Sequence, residues 1–259
     1  MLVFVIPLRS PQSTKSWDSV SQLFERCIKS VCNQTSSKFR VIVVCHEKPN
    51  FDFSHSHLTY IKVNFLSPSQ SSVYKVKELD RSRKVVIGLK EAKKLDASHV
   101  MIADADDCVS KHLAEFVSNH SQKNGWVFKK GYWYQENLEL TRLMKKGFDC
   151  YCGTSQIVKS NFYEFSETAN EEEKAKYYYD FYRHRKLKDF LEEKEIILAE
   201  LPFAGAVYTV GHGENIFTTE NRRKINLKNL PYRLKAWLEY RPITSKIREE
   251  FGLYKIDKL

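Results

Sequence analysis

The segment VMIADADDCVS, residues 100–110, decides how the rest of the chain is read. An apolar run over 99–103 stops at carboxylates spaced D-x-D-D, Asp104, Asp106 and Asp107. A short apolar run that ends this way reads as a buried strand, so Asp104 and Asp106 fall at its carboxyl end. In open α/β sheets ligands bind outside the carboxyl ends of the strands, and acids placed there need not be buried without partners. Residues two apart in an extended chain face the same side, which lets both carboxylates reach one object. A divalent cation clamped on a diphosphate is such an object, because Mg²⁺ is typically held by one or two carboxylates plus substrate phosphates. The competing reading is an Asp-rich turn capping the helix that Ser110 opens. The surrounding chain tips the balance toward the ligand.

Upstream, residues 2–6 form a continuous apolar strand, and Pro7-Leu8-Arg9 leaves it. From Trp17 onward Val20, Leu23, Phe24, Cys27, Ile28 and Val31 recur at helical spacing, one buried face of an amphipathic helix. FRVIVVC at 39–45 is the next buried strand and 58–63 a weaker third. Strand, helix, strand with wholly apolar strands argues for a parallel sheet with right-handed crossovers. Residues 64–74 are rich in Ser, Pro and Gln and read as a loop. After it, Asp80-Arg81-Ser82-Arg83-Lys84 is expected to open a helix with Val85, Val86, Leu89 and Ala92 inward. Cations at a helix start oppose the dipole, so this run reads as an anion site in preference to a solvated face.

Downstream, Leu113, Phe116 and Val117 mark a helix, and GWVFKKGYWY at 125–134 reads as a hairpin turning on Lys-Lys-Gly. Its aromatics suit either stacking on a sugar or base or a half-buried sheet edge. The polar stretch from Asn170 reads as a helix on which Asp180 and His184, spaced i, i+4, share a face. Strands at 196–200 and 206–210 deliver Gly211-His212-Gly213-Glu214, and a histidine between glycines at a strand end is open to a ligand or metal.

The chain has 259 residues, room for one large α/β domain with an appendage. At 42% hydrophobic and 13% aromatic it is not a disordered chain. Its net charge of +10 points to an anionic partner. The six cysteines lack C-x-x-C pairing and mostly sit in apolar patterns, which predicts reduced core thiols. The start of the chain reads as a first strand and not a leader. No apolar run approaches the ~18 residues of a membrane span, so a cytoplasmic location is expected. Helix-turn-helix, finger and RNP patterns are absent, which argues against a nucleic-acid partner.

Taken together VFVIPLRS, SVCNQT before FRVIVVC, the 80–84 segment, ADADDCVS, Gly153-Thr154-Ser155 and LPFAGAVYTVGHGEN resemble, in their order, glycosyltransferases of the GT-A fold. The likeness is to family 2, especially the small bacterial group labelled "glycosyltransferase family A", and it runs from residue 2 to about 215. It implies an α/β fold with a Rossmann-like, mainly parallel sheet flanked by helices. It implies transfer of a glycosyl group, with inversion, from a nucleoside diphosphate sugar to a glycan or lipid-linked acceptor. On that likeness Pro7, Arg9, Asp80, Arg81, Lys84, Asp104, Ala105 and Gly153 would hold the donor. Asp104, Asp106 and His212 would hold a divalent metal, Mn²⁺ or Mg²⁺. Family members usually carry a Glu-Asp pair as the base; here the corresponding helix offers His184 and Asp180. A nucleotidyltransferase would want a Gly-rich phosphate loop that PLRSPQS lacks, and a non-catalytic binding module of the same fold is the other alternative. Residues 1–221 are read as the transferase domain and 222–259 as a basic amphipathic helical tail. In the tail Leu230, Leu234, Trp237 and Leu238 suit either an anionic membrane surface or a helix closing the core.

Overall fold

The computed structural model describes residues 1–214 and 239–256. In chain order the strands are β1 (Leu2–Pro7), β2 (Phe39–Cys45), β3 (Leu58–Lys62), β4 (His99–Ile102), β5 (Cys108–Val109), β6 (Gly125–Val127), β7 (Gly131–Gln135), β8 (Leu140–Met144), β9 (Gln156–Lys159), β10 (Ala199–Glu200), β11 (Ala206–Val210) and β12 (Arg241–Pro242). The helices are α1 (Trp17–Cys32), α2 (Tyr74–Lys94), α3 (Leu113–Asn119), α4 (Glu171–Tyr177), α5 (His184–Glu192) and α6 (Ser245–Phe251).

The central sheet has the order β10-β6-β9-β4-β1-β2-β3. Strands β3, β2, β1 and β4 are mutually parallel, and β9 alone runs antiparallel to its neighbours. Successive side chains of β1 go to opposite faces, as extended chain requires. Leu2, Phe4 and Ile6 join α1 and α3 in one core; Val3 and Val5 join α2 in the other. Every one of these residues is fully buried, and burying such a side chain is worth ~1.5–3 kcal/mol. The chain is thus a mixed α/β domain, a mostly parallel sheet between helical layers, as expected.

Helix α1 forms where its apolar face recurs, starting at Ser16, whose hydroxyl accepts from the Ser19 N–H at 3.1 Å. Helix α2 lies so close on β1 that a Cβ at Gly88 would come within 2.3 Å of Val5 Cγ1. A second sheet, β12-β8-β7-β11-β5, packs against the first core through Val109, Met144 and Ala206. It is tied to α1 by Arg26, which is fully buried and donates to both carboxylate oxygens of Glu136 at 2.9 and 2.5 Å.

Four expectations change. Helix α2 begins at Tyr74, six residues before Asp80, because the Ser-rich stretch before it ends at the extended N-cap Val73. Residues 125–134 are not a hairpin: β6 pairs in the central sheet and β7 in the second, so Lys-Lys-Gly crosses between sheets. The helix over 170–186 is interrupted. After α4 a π-helical turn, Tyr178–Tyr182, gives way to an extended Arg183 (φ −65°, ψ 143°), and α5 starts afresh. The expected strand over 196–200 is reduced to Ala199 and Glu200.

Among the described residues of the 222–259 segment, β12 extends the second sheet on β8, and Phe251 and Leu253 are buried against Tyr134 and Val207. The remaining apolar tail positions, Leu230 to Leu238, lie outside the described residues. The cysteines are all unpaired, and only Cys150 is exposed.

Candidate active site

A cavity opens beyond the carboxyl ends of β1 and β4, between α2, the start of α5 and the loop that follows β11. It is lined by Pro7, Arg9, Asp80, Arg81, Lys84, Asp104, Ala105, Asp106, Gly153, His184 and His212. Every residue that the sequence proposed for donor, metal or base is therefore gathered here except Asp180, which is not among the lining residues. The reason is local. The π turn and the extended Arg183 break the helix on which Asp180 and His184 were to share a face, so the i, i+4 argument has no helix to act on.

Because α2 starts early, the 80–84 run occupies its second and third turns and not the positive end of its dipole. The cations are compensated by carboxylates of the chain. Lys84 Nζ donates to Asp80 Oδ2 at 2.7 Å, both side chains nearly sealed from solvent. Burial pulls the Lys84 pKa down against the pull of Asp80. Arg81 donates to Asp104 Oδ1 from Nη2 at 2.6 Å and from Nε at 3.1 Å. Burial disfavours the Arg81 charge, but Asp104 with Tyr178 and Glu78 outweighs it and holds the guanidinium protonated. Arg83 turns outward to Glu172.

At the strand end the two carboxylates part company. Asp104 is committed to Arg81, whereas Asp106 Oδ2 faces His212 Nε2 at 3.1 Å, a contact without the alignment of a hydrogen bond. Burial raises the Asp106 pKa, and the imidazole beside it more than offsets this, leaving it below the usual value. Among the described residues no three of His, Cys, Asp and Glu converge as a metal cage. Gly153 is required by packing: a Cβ there would lie 2.2 Å from Asp104 Oδ2.

The third acid, Asp107, holds the loop in place. Fully buried, it accepts from Thr154 Oγ1 at 2.6 Å, from the Thr209 N–H at 3.1 Å and from Cys152 Sγ at 3.3 Å. Thr154 Oγ1 in turn accepts from the Asp104 N–H at 2.8 Å. Burial, with Asp106 and Asp104 close by, drives the Asp107 pKa well up.

Residues that sequence reasoning missed complete the wall: Tyr74, Lys77 and Glu78 from α2, Arg183 and Arg185 at the entry to α5, Tyr208 from β11 and Glu214. With Arg81, the first three fall at i, i+3, i+4 and i+7, one helical face that an earlier helix start would have revealed. Glu214 closes the far side. Its carboxylate accepts from the Ser16 N–H at 3.0 Å and the Lys15 N–H at 3.1 Å, and Arg9 Nη1 lies 3.3 Å away. Burial lowers His184 to a pKa of about 4, only partly opposed by Asp104, so the imidazole is neutral at physiological pH.

No protein-family model and no curated protein matches the chain. Among solved structures it is similar to S. aureus TarS 1–349 in complex with UDP, at 14% identity and a TM-score of 0.45, covering 81% of this chain and 60% of that one. The complex of the same protein with UDP-GlcNAc gives 14% identity and 0.45 over 82% and 59%. The 2-C-methyl-D-erythritol 4-phosphate cytidylyltransferase of Francisella tularensis gives 13% identity and 0.39 over 89% and 98%. The chain thus spans about three fifths of the length of the TarS 1–349 structures.

Proposed function

We propose that the chain is a glycosyltransferase that moves a sugar from a nucleoside diphosphate sugar to an acceptor hydroxyl, on a glycan or a lipid-linked acceptor, with inversion. The observation that carries the reading is the cavity itself: at the carboxyl ends of parallel strands, Asp104 and Asp106 share its lining with Arg9, Arg81 and Lys84. Acids that hold hydroxyls or a cation, opposed by cations that hold phosphates, are what a nucleotide sugar requires.

In this reading Arg9, Arg81 and Lys84 bind the nucleotide and its phosphates, and Asp104, positioned by Arg81 and Thr154, accepts from ribose or sugar hydroxyls. As the bond between the anomeric carbon and the phosphate oxygen breaks, the departing diphosphate gains charge, which fixed cations stabilise without reorganising. Asp106 and His212 fit a divalent ion: a carboxylate oxygen and an imidazole nitrogen 3.1 Å apart line the cavity as two ligand atoms, and the phosphates would supply the rest. Such an ion, when bound, neutralises charge on the diphosphate. Direct attack by the acceptor from the opposite side would invert the anomeric centre.

The test is release of nucleoside diphosphate from UDP-, GDP- and CDP-linked sugars, with and without Mn²⁺, in the presence of glycan and lipid-linked acceptors. The expected result is metal-stimulated release from one donor class, matched by sugar on an acceptor. Pyrophosphate release from a nucleoside triphosphate, with no release from any sugar donor, would replace this reading with nucleotidyl transfer.

A further inference from the structure

Glycosyl transfer to a hydroxyl needs a group to take the acceptor's proton, and neither sequence candidate is well placed for it. Asp180 does not line the cavity, and His184 is a neutral, weakly basic imidazole whose Nε2 is sealed from solvent. The cavity's carboxylates can be taken in turn. Asp80 is held by Lys84 at 2.7 Å, Asp104 by Arg81 at 2.6 Å, and Asp106 faces His212 at 3.1 Å. Glu214 is consumed by Arg9 and the N–H groups of Lys15 and Ser16. Glu78 differs from all of these. Its single ion pair among the described residues is a loose one, Oε2 to Arg183 Nη1 at 4.0 Å, and its side chain is only 12% exposed.

We propose that Glu78 is the general base, the carboxylate that receives the acceptor's proton; the inference rests on the glycosyltransferase reading above. Glu78 stands on the cavity face of α2 one turn before Arg81, which reaches Asp104, so it borders the place where the sugar would lie. Arg183, at the extended break before α5, stands 4.0 Å from the carboxylate, and Arg81, one turn on, adds to the positive field around it. The groups facing it are Tyr74, Lys77 and Arg81 from α2, Asp104 from the end of β4, and Arg183, His184 and Arg185 from the entry to α5. In the step, the acceptor oxygen forms its bond to the anomeric carbon and the bond from that carbon to the phosphate oxygen breaks. That electron pair leaves on the diphosphate, and the acceptor's proton passes to Glu78 and then to solvent. Burial also raises the Glu78 pKa, which makes it a stronger proton acceptor than an ordinary glutamate.

The experiment uses the full chain with UDP-, GDP- and CDP-glucose and Mn²⁺, water serving as acceptor, and compares wild type with Glu78→Gln, Glu78→Asp and Glu78→Ala. Glu78→Gln should lose ~10²-fold or more in kcat with nucleotide affinity unchanged. Glu78→Asp should retain part of the rate, and formate should restore part of it to Glu78→Ala, which a merely structural glutamate would not show. Wild-type turnover matched within threefold by Glu78→Gln overturns the assignment while leaving the transferase reading intact. A loss of nucleotide affinity equal to the loss of rate makes Glu78 a donor contact and also overturns it. Wild-type nucleotide binding with no release from any of the sugar donors, with water or with the glycan and lipid-linked acceptors named above, defeats the transferase reading and this inference together.

Discussion

Replacing Gly153 by alanine isolates the carboxylate on which donor binding depends in this account. The new Cβ would stand 2.2 Å from Asp104 Oδ2 and 3.1 Å from its Cγ. Non-bonded atoms settle at ~3.5 Å, so the carboxylate must retreat by about 1 Å. The backbone gives no reason for other trouble, since Gly153 is not among the residues of positive φ. The Asp104 side chain is 31% exposed and has solvent to move into, so the fold should survive. Its link to Arg81 runs through the other oxygen, Oδ1, and a retreat that carries Oδ1 away by that much takes the 2.6 Å contact outside hydrogen-bond range. Hydrogen bonds to charged groups are worth ~1.5–3 kcal/mol, which corresponds to roughly 10- to 150-fold in affinity. Titration calorimetry with UDP and Mn²⁺ should show Gly153→Ala binding at least about tenfold more weakly, while thermal unfolding stays within a few degrees of wild type. Unchanged affinity in a folded variant would refute the role of the Asp104–Arg81 pair.

Other perturbations follow from the same geometry. Asp106→Asn removes one of the two facing ligand atoms and should abolish the Mn²⁺-dependent part of nucleotide binding, measured by titration with and without the metal. His184 has a folded pKa of about 4 against ~6.5 when unfolded, so between those values the unfolded chain binds the extra proton. Its contribution to stability is therefore complete above pH ~6.5 and is lost as pH falls toward 4. His184→Gln should flatten that part of a Tm-versus-pH curve. Glu136→Ala leaves the buried Arg26 charge without its carboxylate, with the Tyr254 carbonyl still accepting from it, and should cost ~3–5 kcal/mol in urea unfolding, with Arg26→Met recovering part of it.

The middle of the central sheet was legible because β1, β2 and β4 are buried on both faces and so write themselves as apolar runs; they fall where LVFVI, FRVIVVC and HVMI predict. The α1 face was legible for the equivalent reason, a 3.6-residue period of buried residues. The DxD residues could be placed at the cavity because a strand end in a parallel sheet has a known address. What sequence concealed was tertiary. The first turns of α2 carry few apolar residues, since their inner face looks into the cavity and not the core, and this hid Tyr74, Lys77 and Glu78. The π turn before Arg183 leaves no pattern distinct from a helix, so Asp180 was placed with His184 on a face that does not exist. Asp107 was visible in the quoted segment, but its work in holding Thr154 and Thr209 depends on elements far along the chain.

The central claim is that a nucleoside diphosphate lies between α2 and the ends of β1 and β4. Its most direct test is a crystal structure of the chain with UDP and Mn²⁺. The account predicts phosphates against Arg9, Arg81 and Lys84, and a metal ion between Asp106 and His212. A nucleotide bound elsewhere on the chain, with no phosphate near Arg9, Arg81 or Lys84, would contradict it.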